Sequence, residues 1–198
     1  MGLERLVVDV YKDVPTSLYI CLLIIFLVSL LVVLPFKRFN EGWRLLGKVL
    51  LIEYTILLLG GTIIFRQELD FHKYNFQPFW SYMAILHGDK KLMAENLLNV
   101  VAFIPYGSLL CLSFHNMKWG TVLLYALSLP FSIEVLQYVL NRGFSEFDDV
   151  FHNAVGCMIG FGLFKIIKVL YERITKRNME ILFISLLASM EVVWKGKP

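Results

Sequence analysis

The sequence predicts an all-α membrane protein with five transmembrane helices, a short sixth as an alternative, and an interfacial helix at the N-terminus. The first observation is composition: of 198 residues, 58% are hydrophobic and 18% are charged. A soluble domain has about a quarter of its residues charged, so this exterior suits lipid better than water. The second observation is that several apolar runs have the length, about 20 residues, that crosses a bilayer as a helix.

Five apolar runs have the length and composition of transmembrane helices. They cover residues 16–36, 45–65, 92–114, 119–140 and 149–170. The first run is followed by Lys37 and Arg38, the second carries Glu53, and Pro130 interrupts the fourth. Helices are expected because isolated strands would leave backbone groups unpaired in lipid.

Two further segments are ambiguous. Residues 3–13 place Leu3, Leu6 and Val10 on one helical face, which is typical of a helix lying in the membrane interface. Residues 181–194 are too short as a helix to cross the hydrocarbon core. We therefore predict an interfacial or re-entrant segment there, and a short sixth span is the alternative.

These assignments divide the chain into three parts. Residues 1–65 contain the interfacial helix and two spans, residues 66–171 contain an outer loop and three spans, and residues 172–198 form a cytoplasmic basic segment with an apolar tail. The densest basic cluster lies at and beyond the end of the fifth span and comprises Lys165, Lys168, Arg173, Lys176 and Arg177. Because basic residues favour the cytoplasmic side, we expect the N-terminus and the 66–91 loop to lie outside.

Polar residues concentrate at one end of the last three spans, where lipid disfavours them. They are Asn99 in the third span, Glu134 and Gln137 in the fourth, Arg142 in the loop, and Asp149, His152 and Asn153 in the fifth. The third and fifth spans enter from the side on which the fourth exits. We therefore expect these side chains to meet in the outer leaflet, as candidate ligand-binding residues.

A structural role is the alternative for the same residues. Ser145 and Asp148 have the spacing of a helix cap, and Arg142 can pair with Glu134 or Asp149 to join two helices. We expect no metal and no cofactor, because ligand spacing is loose and no HExxH-type motif is present.

Four small or rigid residues are expected to govern helix packing. Pro105 removes a backbone donor and predicts a kink. Gly107 lets another backbone approach closely, and Gly156 with Gly160 has the small-xxx-small spacing of tightly packed membrane helices.

Four short motifs follow one another between residues 75 and 160. Asn75, Pro78 and Phe79 form NxxPF; Asn99, Phe103, Pro105 and Gly107 form NxxxFxPxG; Glu134 and Gln137 form ExxQ; Arg142, Phe147, Asp149, Asn153, Gly156 and Gly160 form R…F/D…DxxxNxxGxxxG. In this order they resemble the VanZ-like family of bacterial membrane proteins. The resemblance implies a multi-pass protein of the bacterial cytoplasmic membrane. It also implies an association with resistance to teicoplanin, a lipoglycopeptide that attacks the cell wall from outside.

Two functions fit these observations. The first is a non-enzymatic protein that binds or shields an amphiphilic or lipid-linked envelope molecule, such as a lipid-linked precursor or a lipoglycopeptide, at the outer leaflet. The second is an intramembrane enzyme acting on a lipid-linked envelope substrate, with Glu134, Asp149 and His152 as acid–base candidates. We favour the first because no nucleophile is paired with a base and no phosphate loop is present. The bilayer is an expected partner, whereas nucleic acid is not, since no basic stripe exists.

Overall fold

The computed structural model describes residues 14–33 and 39–195, and 79% of its residues are helical. The helices are α1 (Thr16–Val33), α2 (Phe39–Leu59), α3 (Trp80–Leu86), α4 (Lys90–Ser113), α5 (Trp119–Val139) and α6 (Phe147–Lys195). A π-helical turn, Gly60–Ile64, extends α2, and two short strands are β1 (Lys73–Asn75) and β2 (Phe144–Glu146). The predicted interfacial helix over residues 3–13 lies outside the described residues.

Four helical stretches in the described residues are long and apolar enough to cross a membrane. They are Glu41–Ile64, Lys90–Ser113, Trp119–Val139 and Phe147–Thr175, and Thr16–Val28 is a shorter apolar helix. Large apolar side chains such as Leu124 and Ile167 stay exposed on these helices, which suits contact with lipid rather than water. The predicted all-α membrane fold is confirmed.

The last helix is longer than the sequence analysis predicted. Instead of ending near residue 170, α6 continues to Lys195, so residues 181–194 belong to the same helix and form no separate re-entrant segment. Residues 163–195 contain neither glycine nor proline, so no residue there interrupts the intrahelical hydrogen bonds. The chain divides into two compact units, Met1–Gly162 and Leu163–Pro198.

The core of the first unit is built from α4, α5, the first turns of α6 and the end of α2. Its buried residues include Leu58, Ile63, Phe103, Leu110, Val122, Ile133, Cys157 and Phe161. Pro105 and Pro130 lie inside α4 and α5, where each removes one backbone donor from its helix.

Helices α4 and α6 approach each other backbone to backbone. A Cβ added at Gly107 would overlap the carbonyl oxygen of Cys157, and one added at Gly160 would overlap that of Ile104. Gly156 meets α4 in the same way. Close approach of this kind lets van der Waals contacts hold helices together where lipid provides no hydrophobic driving force.

The two strands were not predicted from the sequence, since three residues are too few to show a strand pattern. They pair in parallel, with Lys73 opposite Phe144 and Asn75 opposite Glu146. The pair therefore fastens the loop after α2 to the segment that joins α5 to α6.

Candidate functional site

A cleft of about 740 Å³ lies beside the N-terminal ends of α4 and α6, next to the strand pair. Its charged lining residues are Arg66, Lys73, Lys91, Glu95, Glu146 and Asp149, and its amide side chains include Asn96 and Asn99. The wall is therefore strongly polar, although the helices that carry it are mostly apolar. Small-molecule sites have volumes of about 300–1,000 Å³, so the cleft is large enough for a polar headgroup.

One face of α4 supplies a wall of the cleft. Leu92, Glu95, Asn96 and Asn99 line it, at the spacing that keeps residues on one side of a helix. Lys91 forms a 3.3 Å salt bridge with Glu95, and both side chains are well exposed. This ion pair therefore lies at the rim rather than deep in the cleft.

Asp149 brings a carboxyl group into the cleft from the first turn of α6. The side chain of Asn99 hydrogen-bonds with this carboxyl group, and the Arg66 guanidinium attracts it electrostatically. An acidic side chain is also favoured at a helix N-terminus, where the backbone amides point toward it. Two of the predicted site residues, Asn99 and Asp149, are thus brought together.

Arg66 reaches the cleft by packing against a glycine. A Cβ at Gly143 would overlap the guanidinium, and Gly143 has φ +106°, which strongly favours glycine. Because Gly143 has no side chain, its backbone can form the turn before β2 and the Arg66 guanidinium can pack against it.

Glu146 is the buried acid of the strand pair, with only 9% of its surface exposed. Burial, reinforced by the carboxylate of Asp149, raises the pKa of Glu146 to about 8. The side chain is therefore mainly neutral at pH 7 and can both donate and accept a hydrogen bond.

Glu134 is buried beside the cleft and does not line it. Its carboxylate accepts a 2.8 Å hydrogen bond from the backbone amide of Glu146. Its backbone carbonyl accepts a 3.0 Å bond from the hydroxyl of Ser145. Glu134 thus holds the end of α5 against β2, and Ser145 does not cap α6, contrary to the capping alternative.

Arg142 and Gln137 bind the end of the π-helical turn. Arg142 donates to the carbonyl of Ile64 at 2.8 Å, and Gln137 donates to that of Thr62 at 3.2 Å. Arg142 therefore contacts carbonyl oxygens and not the carboxylate of Glu134 or Asp149, which was the alternative role considered for it. Carbonyls at a helix end lack intrahelical donors, so the guanidinium supplies hydrogen bonds that the helix itself cannot make.

Asp148 holds the short helix α3. Its carboxylate accepts hydrogen bonds from the backbone amide of Phe79 at 2.5 Å and that of Ser81 at 3.0 Å, and from the Ser81 hydroxyl at 2.6 Å. Phe79 has a left-handed backbone, φ 60°, at the entry to the helix. Asp148 is therefore occupied by a cap on a distant helix and does not cap α6.

His152 and Asn153 are both buried on α6. The Nε2 atom of His152 lies 3.0 Å from the Tyr82 hydroxyl. Burial raises the pKa of Tyr82, with the Asp148 carboxylate adding to the effect. The Tyr82 hydroxyl therefore keeps its proton, and the tautomer of His152 sets which of the two groups donates in this hydrogen bond. Within the described residues, no group of three His, Cys, Asp or Glu side chains could hold a metal ion.

The predicted candidates thus fall into two groups. Asn99 and Asp149 line the cleft, whereas the other five, Glu134, Gln137, Arg142, His152 and Asn153, do not. Six lining residues were not predicted from the sequence: Arg66, Lys73, Lys91, Glu95, Asn96 and Glu146. The spacing of Glu95, Asn96 and Asn99 places them on one face of a helix and could have predicted a polar wall. Arg66 and Lys73, in contrast, resemble ordinary loop residues.

Together, the apolar helices and the charged cleft define a multi-pass α-helical membrane protein with a polar cleft at one end of its spans. The sequence profile of the VanZ/LLP1 family matches residues 18–168, so the chain belongs to this family. It is 28% identical over 128 residues to Protein VanZ of Enterococcus faecium, covering 65% of this chain and 74% of that protein. No solved structure matches the chain.

Proposed function

We propose that the cleft binds the polar part of an amphiphilic or lipid-linked envelope molecule, without chemical conversion, at the outer leaflet of the bacterial cytoplasmic membrane. The observation that carries the proposal is the cleft itself, a charged site of about 740 Å³ at the ends of apolar helices. Such a molecule has a polar head that the cleft can hold and an apolar part that lipid or the protein surface can hold.

Exposed aromatic side chains beside the cleft support an amphiphilic ligand. Tyr74 follows the cleft residue Lys73 in β1, and its ring lies 5.2 Å from that of Phe76 and 5.5 Å from that of Tyr138. All three rings are exposed. Aromatic side chains are favoured at the membrane interface, so this patch supports a position of the cleft near lipid headgroups.

The outward orientation of the cleft is part of the proposal. It follows from the basic cluster of residues 165–177, which favours the cytoplasm. A cleft on the outer side is accessible to envelope precursors and to lipoglycopeptides. Membership in the VanZ/LLP1 family therefore suggests protection against teicoplanin-type compounds as the phenotype to measure.

Binding is favoured over catalysis by how the acid–base candidates are engaged. Glu134 accepts from the Glu146 amide and His152 contacts the Tyr82 hydroxyl, and neither lines the cleft. Of the three acid–base candidates, only Asp149 lies in the cleft wall. Acid–base catalysis in the cleft would therefore lack a second candidate from this set.

Replacing Asp149 with asparagine tests the proposed function. Asp149→Asn keeps the shape of the side chain and removes its negative charge, so we expect near-normal abundance in the membrane. A charge-assisted hydrogen bond contributes about 1.5–3 kcal/mol, so ligand affinity and protection against teicoplanin should fall by about tenfold or more. Asp70→Asn, at an exposed loop residue that does not line the cleft, is the matched control and should change neither quantity.

Three results would count against the proposal. Full retention of protection in Asp149→Asn would show that the cleft is not the site responsible for protection. A parallel loss of abundance and protection would give Asp149 a structural role instead. A wild-type protein that gives no protection would refute the antibiotic part of the proposal.

A further inference from the structure

The charges of the cleft differ in exposure. The cationic side chains of Lys73 and Lys91 are exposed, and Arg66 is half-buried. Of the acidic side chains, Glu146 is buried and Asp149 is half-buried, like Arg66. A ligand that fits this lining therefore needs an anionic group near the cations and hydrogen-bond donors near the acids.

Arg66 is the cation whose donors are available. Within the described residues, its guanidinium makes no salt bridge and no hydrogen bond, and it packs against Gly143 at the cleft wall. Lys91, in contrast, is already paired with Glu95. A half-buried guanidinium with unused donors is suited to a planar or tetrahedral oxyanion, which it can bind through two parallel hydrogen bonds.

Lys73 provides a second available cation. Its Nζ atom lies 5.2 Å from the ring of Phe71, and the described residues include no carboxylate in salt-bridge contact with it. Arg66 and Lys73 line the same cleft. Two positive charges without a carboxylate in contact favour a phosphate group, which can carry more than one negative charge.

The acidic residues of the cleft make a bare phosphate a poor fit. Asp149 presents a carboxyl group, and the side chains of Asn99 and Glu146 add further acceptors. An anion placed against Asp149 would be repelled, whereas a hydroxyl or ammonium group there would donate a hydrogen bond to it. The ligand must therefore carry donors next to its anionic group.

We propose that the cleft recognises a phosphate-bearing headgroup with a neighbouring hydroxyl or ammonium group. Arg66 and Lys73 bind the phosphate, and Asp149 with Asn99 accepts from the donor. This inference rests on the proposed function, since it names the chemistry of the molecule that the same cleft binds. Both a membrane lipid and a free phosphate ester have this chemistry.

Binding measurements on the full chain, purified in a sugar-free detergent, test the inference. The probes are dihexanoyl phosphatidylglycerol, which has phosphate and hydroxyl groups, dihexanoyl phosphatidylcholine, which lacks a donor, and octyl glucoside, which lacks phosphate. We expect phosphatidylglycerol to bind about tenfold or more tightly than either of the others, the effect of one charge-assisted contact. Competition by glycerol 3-phosphate would assign recognition to the headgroup alone, and lack of competition would assign it to the lipid form.

Two variants locate the contact. Arg66→Gln should weaken the affinity for phosphatidylglycerol about tenfold. Arg173 is an exposed arginine of the second compact unit, and Arg173→Gln should leave this affinity unchanged. Lys73 is exposed on β1, so Lys73→Gln is expected to fold normally and to weaken binding about threefold. This variant keeps the test available if Arg66→Gln fails to fold.

The possible failures are distinguishable. Equal affinity for phosphatidylglycerol and for either comparison probe, or unchanged affinity in both cleft variants, would overturn the phosphate assignment and leave amphiphile binding intact. Absence of binding by all of these amphiphiles to the folded wild-type protein would overturn both this inference and the proposed function.

Discussion

The carboxylate of Asp148 accepts hydrogen bonds from both the backbone amide and the hydroxyl of Ser81, at 3.0 Å and 2.6 Å. The two residues are 67 positions apart in the chain, and both are 1% exposed. The Ser81 hydroxyl in turn accepts a 3.1 Å bond from Asn96, which lines the cleft. The first turn of α6 therefore determines where α3 lies relative to the cleft wall.

Removing the Asp148 carboxylate should destabilise the protein more than removing a local helix cap. Asp148→Ala leaves three donors of Phe79 and Ser81 without their acceptor, and each buried unpaired donor costs about 1–3 kcal/mol. We expect a loss of about 3 kcal/mol or more in unfolding free energy, measured by denaturation in detergent. Asp89→Ala, which removes the local cap on Leu92, should cost about 1 kcal/mol. Equal losses in the two variants would contradict the proposed hold of Asp148 on α3.

Adding one methyl group at the contact between α4 and α6 should force the helices apart. We expect Gly156→Ala to lower the unfolding free energy by about 1–3 kcal/mol, because the new Cβ would overlap the carbonyl of Val100. Gly120→Ala is the control, since a Cβ there meets nothing within 4 Å. It should stabilise α5 by about 0.5–1 kcal/mol through helix propensity. The prediction fails if both alanine variants melt at or above the wild-type temperature.

Stability should depend on pH through Glu146. Its pKa rises from 4.5 to about 8 on folding, so the folded state holds the proton more tightly than the unfolded state. The associated stability is fully present below pH 4.5 and is lost as the pH rises through about 8. Glu146→Gln cannot titrate, so its melting temperature should fall less than that of the wild type between about pH 5 and about pH 9. Glu68→Gln, in the exposed loop, should retain the wild-type profile, and an identical profile in Glu146→Gln would exclude this cause.

Thiol labelling in intact cells should place the cleft outside. In a chain whose Cys21, Cys111 and Cys157 are replaced by alanine, Asp70→Cys should react with a membrane-impermeant reagent. Glu172→Cys, within the basic cluster that follows the fifth predicted span, should react only after the cells are permeabilised. The opposite pattern would invert the topology and place the cleft on the cytoplasmic side.

Much of the membrane fold was predictable because the signal is local. The third and fourth predicted spans agree with α4 and α5 within two residues at each end. Transfer of a side chain into lipid depends mainly on that side chain, so a continuous apolar run shows where a helix can cross. Helix α6 departed from its prediction because bilayer thickness limits the length of a span but does not end a helix, and residues 163–195 contain no glycine or proline to interrupt it.

The candidate site was only partly predictable. Asn99 and Asp149 could be predicted because polar groups in apolar spans are energetically costly and usually have a partner or a function. Arg66, Lys73 and Glu146 carried no such signal, since charged residues are ordinary in loops. Their common position arises from the parallel pairing of β1 with β2, a contact between segments about 70 residues apart.

By itself, the sequence determined that the chain spans a membrane, which residues form most of the helices, and that polar residues gather at one end of them. Only the tertiary structure decided which partner each polar group takes. Arg142 contacts the carbonyl of Ile64 rather than a carboxylate, and Asp148 caps α3 rather than its own helix. The physical reason is that apolar burial is a property of each residue, whereas a hydrogen bond depends on which distant donors and acceptors remain unpaired once the helices have packed.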